Sequence, residues 1–216
     1  MIEIKNEEIA GLETAIRGMR NPLASWDSSD SFTAGGGTFI IGPKDLGLAE
    51  KLIKAGSDHG KLARQIYISA DITAPLYWWK QFDTYKIGTV QNSESTMHTL
   101  VKKPITANEF AINDADYDLL ISHNGDSISV GDLWESLITA CEFLRQNYNE
   151  TKDHRYWETL VRVLPSAWLQ MRTWSGNYAV LRNIYYARKD HKVSEWHDFC
   201  AWIETLPYAK ELICNK

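Results

Sequence analysis

The sequence is short of several things, and each shortage narrows what the chain can be. It holds three cysteines in 216 residues, Cys141, Cys200 and Cys214, and none has the close partner spacing of a zinc or redox motif. That pattern argues against a metal centre and against a disulfide framework, and leaves three buried free thiols as the expectation. No apolar run approaches the roughly 20 residues that cross a bilayer. The first eight residues are polar and acidic and lack the shape of a secretory signal, so a cytoplasmic protein that meets no membrane is expected. Positive charge is in deficit, with 23 Lys and Arg against 28 Asp and Glu and a net charge of −5. A chain that mainly grips a nucleic-acid backbone has the opposite balance, although a small anion can still be held in a local basic pocket. Internal repeats, low-complexity tracts and linkers are absent, which predicts a single domain over residues 1–216.

Aromatic rings are plentiful instead. Nine tryptophans and ten tyrosines point to a bulky core or a subunit interface. Residues 1–34 have no single pattern; Asn21-Pro22 breaks any helix and 27–31 read as loop. The glycine triplet 35–37 leads into a short strand at 38–41, and the Lys-Ser/Thr of a phosphate loop does not follow it. Asp45 is the expected N-cap of a helix carrying Leu48, Ala49, Leu52 and Ile53, with Gly56 closing it. Residues 65–72 are β-rich. The apolar run 119–121 is too short to assign by periodicity, and 122–126 after it are turn-like. From Ser129 a helix is expected, with Leu133, Leu137, Ile138, Cys141 and Leu144 on one face. A charged break at 151–154 precedes a second helix through Trp157, Leu160 and Val161, which Pro165 ends. Helices at 178–188 and 194–204 follow, the last with Ser194 as N-cap. Helices with a few strands between them predict the α+β class.

The most informative segment is 81–98, Gln-Phe-Asp-Thr-Tyr-Lys-Ile-Gly-Thr-Val-Gln-Asn-Ser-Glu-Ser-Thr-Met-His. It packs polar groups into a few turns with little to bury, and such a stretch is costly to order unless something polar sits against it. It resembles the signature of the flavin-dependent thymidylate synthases, Gln-Trp-x-Arg-His-Arg-x-x-Ser-x-Asn-x-x-Ser-x-Arg-Tyr. A second likeness runs from Leu164-Pro165 to Trp196. There Asn177, Leu181, Asn183, Arg188 and Asp190 fall in register with the family's Asn-x-Arg-x-Leu-x-Asn helix and the Leu-Arg-Ala-Asp stretch after it. His191 and Trp196 match after a shift of one residue, and His59 lies where the family has an early histidine.

The resemblance implies an α+β fold of helices packed on a small, mainly antiparallel sheet. It implies reductive methylation of dUMP or a related pyrimidine nucleotide, with FAD as cofactor, NADPH and methylenetetrahydrofolate as co-substrates, and a homotetrameric assembly. Carried over by position, Gln81, Thr89, Asn92, Ser95, Arg162 and Arg188 would hold the nucleotide, with Arg188 and Ser95 in catalytic roles. His59, Lys86, Asn177, Asn183 and His191 would hold the flavin. Arginine suits such a site because its fork binds two oxygens at once. The chain also departs from the pattern. Thr84 and Tyr85 replace the first two residues of Arg-His-Arg, Met97 and His98 replace Arg-Tyr, and Ala179 replaces the Arg of Asn-x-Arg. Lys61, Arg64, Lys102, Lys103 and Arg172 are the cations that could compensate, and Arg172, Arg182 and Arg188 could form a basic patch. The departures favour a second reading, an inactive descendant that binds a nucleotide or a protein partner; such a protein could come from a phage, an origin that no residue pattern shows.

Overall fold

The structure is a computed structural model that describes residues 2–113, 116–123 and 125–215. Asn124, in the turn expected at 122–126, and the two ends of the domain expected over 1–216 lie outside the described residues. In chain order the elements are β1 (Glu3–Ala10), α1 (Leu12–Met19), β2 (Phe32–Thr33), β3 (Phe39–Ile40), α2 (Pro43–Lys54), β4 (Tyr67–Pro75), α3 (Leu76–Phe82), β5 (Val90–Ser93) and α4 (Thr96–Thr99). There follow β6 (Leu120–His123), β7 (Asp126–Ser129), α5 (Val130–Thr151), α6 (His154–Val163), β8 (Leu169–Asn177), α7 (Tyr178–Arg188), α8 (Glu195–Thr205) and α9 (Ala209–Leu212). The α+β class expected from the sequence is the one found, with a four-stranded sheet in the order β1-β4-β8-β5 and two antiparallel hairpins, β2-β3 and β6-β7. The chain falls into two compact units. One comprises residues 73–82 and 93–171; the other comprises 2–72, 83–92 and 172 onward.

In the first unit, α5 and α6 form the main helical pair. Ser129 caps α5: its hydroxyl accepts from the Asp132 amide at 3.0 Å, and Asp132 in turn accepts from the Ser129 hydroxyl and amide. The helix ends at Lys152, which takes the left-handed conformation at φ 57, and Asp153 caps α6, so the break expected at 151–154 is real. Cys141, Leu160, Phe110 and Trp168 form the core, with Ile138 and Leu144 packed against it. Leu133 does not join them. In the first turn of α5 it is Trp134 that packs against this cluster, its ring 5.8 Å from that of Phe110, and the neighbouring Leu133 is left 37% exposed, so the apolar face drawn from the sequence is wrong at its first residue. Trp78 and Trp79 are fully buried on α3, as a core reading of that pair expects, and the Trp79 indole donates to the Gln170 carbonyl at 2.9 Å.

The second unit carries β1, α1, α2 and the C-terminal helices. Asp45, expected from the sequence to cap α2, is not its N-cap; the helix begins at Pro43 after Gly42. Asp30, from the preceding loop, accepts from the Lys44 and Asp45 amides at 2.9 and 3.1 Å and so does the capping work. Asp45 instead is fully buried against Arg20, whose Nε donates to it at 2.6 Å, and it also accepts from Ser29 and Ser31. Gly56, expected to close α2, follows the C-cap Ala55 at φ 103, a conformation that glycine adopts freely. Gly11, at φ 90 ahead of α1, is required in a stricter sense, because a side chain there would strike the Gln65 carbonyl. Ser194 does stand at the N-cap of α8, but its side chain makes no capping bond. Tyr178 and Trp196 are fully buried, and Tyr178 donates to the Pro207 carbonyl at 2.8 Å. Of the three thiols expected to be buried, Cys141 in the first unit and Cys200 in the second are buried and Cys214 is only half-buried; burial pushes the Cys200 thiol up to about 12.

Candidate functional site

The second unit assembles its site at the end of α7. Asn177 starts that helix by accepting from the Val180 amide at 3.1 Å. Tyr178, Leu181 and Ile184 then form its buried stripe, and Arg188, four residues past Ile184, continues on the same side. The stem of Arg188 therefore follows apolar surface while its head emerges in the last turn, where the helix dipole favours a cation.

Three contacts fix that head. Its Nε donates to the Tyr85 hydroxyl at 2.8 Å. Its guanidinium carbon lies 4.7 Å from the centre of the Trp196 ring and 5.5 Å from that of Tyr85. The two rings meet edge to face at 6.2 Å. Tyr85 is fixed in turn by its own loop. Thr89 Oγ1 donates to the Tyr85 carbonyl at 2.7 Å, and Gly88 turns at φ 76. A side chain at Gly88 would come within 3.3 Å of Asn177 and Val180, at the start of α7. Among the described residues, neither terminal nitrogen of Arg188 has an acceptor and no carboxylate pairs with it. The result is a charged fork with its plane set and both ends available for an anion or a polarised carbonyl.

His191 stands beside this group, its ring 6.2 Å from that of Trp196. Burial, with the charges of Arg188 and His197, holds it below the ordinary histidine value. Its Nδ1 accepts from the Val193 amide at 3.1 Å, which assigns the proton of the neutral ring to Nε2. Lys86, the neighbour of Tyr85, is exposed and has no ion-pair partner among the described residues. These groups fit a planar anionic ligand such as a flavin or a nucleotide: a stacked guanidinium, a free ammonium and a neutral imidazole, with no ion-paired carboxylate among them.

Each of the remaining expected residues has its own local setting. Asn183 is exposed on the other side of α7, five residues and so about 140° round from Arg188. Asn92 is exposed on β5. His59 edges a separate cavity of about 230 Å³ with Asp58, Lys61, Leu48, Leu52 and Leu62, and none of the Arg188 group lines it. In the first unit, Gln81 is half-buried on α3, and Ser95 stands exposed at the start of α4 with its carbonyl accepting from Thr99. Arg162 is exposed and donates to Glu158 at 3.3 Å. Arg172 is held by Asp83 at 2.7 Å and Gln91 at 2.8 Å, and Arg182 donates to the Ile213 and Asn215 carbonyls. The basic patch of Arg172, Arg182 and Arg188 therefore does not form, because each arginine has its own engagement. Sequence reasoning missed Tyr85, which the resemblance counted only as a lost histidine. Its contact with Arg188 joins residues 103 apart in the chain, so the sequence carried no local signal of it. Among the described residues no group of three or more His, Cys, Asp or Glu is placed to hold a metal, and no helix is long and apolar enough to cross a membrane.

Solved structures share this arrangement of chain. Thymidylate synthase X from Helicobacter pylori, crystallised with FAD and dUMP, superposes with a TM-score of 0.70 at 18% identity over 99% of this chain and 97% of that one. The UMP/dUMP methylase PolB from Streptomyces cacaoi, bound with 5-Br dUMP, gives 0.63 at 19% identity over 99% and 94%. The sequence itself matches no family model and no curated protein. The fold is that of the flavin-dependent thymidylate synthases.

Proposed function

We propose that the protein binds a pyrimidine nucleotide and FAD and carries out reductive methylation of dUMP or a related pyrimidine nucleotide. The observation that carries this reading is the Arg188 fork, held by Tyr85 and Trp196 with both terminal nitrogens available, in a fold whose solved examples were crystallised with such nucleotides. Arg188 would grip the nucleotide, with Gln81, Thr89, Asn92, Ser95 and Arg162 as further contacts and Ser95 as the catalytic hydroxyl. Lys86, His191, His59, Asn177 and Asn183 would hold the flavin. When bound, the flavin supplies hydride chemistry, with methylenetetrahydrofolate as carbon donor and NADPH as reductant. The protein would act as a single domain over 1–216, in a homotetramer, in the cytoplasm. The test is an absorbance spectrum of the purified protein across the flavin bands, with and without added FAD, followed by dUMP titration. A bound-flavin spectrum perturbed by dUMP is the expected outcome; a spectrum that stays blank in excess FAD overturns the enzyme reading.

A second reading has its own observation. Thr84 and Tyr85 stand where the resemblance has two cationic side chains, and Arg162 is spent on Glu158 along its own helix. A non-catalytic descendant of phage origin, binding a nucleotide or a partner, would keep the fork and lose the turnover. It predicts dUMP binding without NADPH oxidation in the presence of methylenetetrahydrofolate.

A further inference from the structure

We infer that Tyr85 is a positioning residue for Arg188, a neutral brace that sets the plane of the guanidinium without spending its charge. The inference rests on the reading of Arg188 as a pyrimidine-nucleotide contact and deepens it. An arginine at the last turn of a helix has several soft torsions, and holding it in one geometry forfeits most of its rotamer freedom. That loss falls at the moment of binding unless the free protein has already met it. Here the free protein has. The Tyr85 oxygen takes the Nε proton at 2.8 Å, and the Trp196 ring covers the guanidinium at 4.7 Å. Thr89 and Gly88 fix Tyr85 from behind.

The chemistry of the brace matters as much as its geometry. A carboxylate on Nε would hold the fork equally well but would cancel its charge, and the fork would then offer a ligand two hydrogen bonds and little electrostatic attraction. A phenol oxygen accepts the same proton and leaves the full positive charge on the guanidinium. The aromatic faces do likewise, because they attract a cation without neutralising it. Arg188 therefore reaches a ligand both oriented and fully charged, which suits the acceptor edge or anion of a nucleotide.

The test uses the full-length protein with FAD added, and dUMP titrated by calorimetry into four forms: wild type, Y85F, R188K and the double variant. Phe keeps the ring and its stack and removes the hydroxyl that accepts from Nε. Lys keeps a charge but has no Nε to brace. The expected result is that Y85F binds dUMP about tenfold more weakly than wild type, the loss of one hydrogen bond to a charged group, with an unchanged melting temperature. In the R188K background the Tyr85→Phe change should have no effect. In parallel, the Arg188 Nε proton should exchange slowly with solvent by NMR in wild type and rapidly in Y85F. Equal affinity of Y85F and wild type, an equal loss in both backgrounds, or fast exchange in wild type would each sink the brace. Wild-type protein with a slowly exchanging Nε proton and no affinity for dUMP or UMP overturns the nucleotide reading, and with it the role assigned here to Tyr85 in binding.

Discussion

Asp45 has no exposed surface, yet it stays ionised because donors from Arg20, Ser29 and Ser31 converge on it. Burial on its own would raise its pKa. Hydrogen bonds from Ser29, Ser31 and Arg20, with the charge of Arg20, more than offset this and hold the carboxyl below its ordinary value. Arg20 is itself only 6% exposed, so removing its partner leaves a charge stranded in the interior. D45A is expected to lower unfolding stability by about 3–5 kcal/mol, read from urea denaturation. Glu142 is the corresponding node in the other unit. Hydrogen bonds from Arg145 lead, burial opposes, and the Ile105 amide and Gln146 assist, so that its pKa falls from 4.5 to about 2. Because the folded value is depressed, its contribution is complete above the ordinary value and is lost as pH falls from about 4.5 to about 2. Wild type should lose at most about 3 kcal/mol more than E142Q across that window, a difference that urea midpoints measured at several acid pH values would reveal. A parallel decline in the two proteins would show that Glu142 is not the group that titrates.

At the scale of elements, Asn177 separates two roles. The resemblance assigns it to the flavin, while the structure uses its side-chain oxygen, Oδ1, to cap α7. N177A is expected to cost about 1 kcal/mol in thermal or urea unfolding, and N177S to recover most of it, because serine caps nearly as well. Flavin affinity that N177S fails to recover would assign the amide nitrogen to the ligand. The long helices were legible in the sequence: Ser129, Asp153 and Pro165 mark the bounds of α5 and α6, and α7 was drawn at its observed limits. The strands were harder. β8 buries Gln170, Trp174 and Gly176 and leaves Met171 and Thr173 outside. Its inner face therefore looks polar, and the hydrophobic alternation that announces a strand is inverted at Gln170, which is satisfied by the Glu94 carbonyl and Thr96. β1 carries charges at four of its eight positions, as suits an edge strand, and so reads as surface. In the site, Arg188 was visible because α7 matches without gaps. The Tyr85 brace was not visible, because a contact between residues 103 apart leaves no local pattern.

For the whole molecule, the aromatic excess had two readings, core or interface, and much of it goes to the core. Trp78, Trp79, Trp174 and Trp196 are all buried within one chain. Any assembly must therefore draw on other surface, and Leu119, Leu120, Ile121 and Phe143 are among the large apolar residues left exposed in the first unit. If the homotetramer forms through them, Leu120→Lys should reduce the mass measured by light scattering from four chains toward fewer, while the melting transition of the single chain persists; an unchanged four-chain mass would place the interface elsewhere. The two buried thiols have a use in such work. Cys141 and Cys200 belong to different units, and both are protonated and sealed from reagent while their unit stays closed. A thiol reagent can reach each one only when that unit opens. Timed alkylation, with the modified cysteine identified by mass, gives the chain two internal stopwatches. They report the opening of each half separately, with no label introduced, and would show which half a bound ligand steadies.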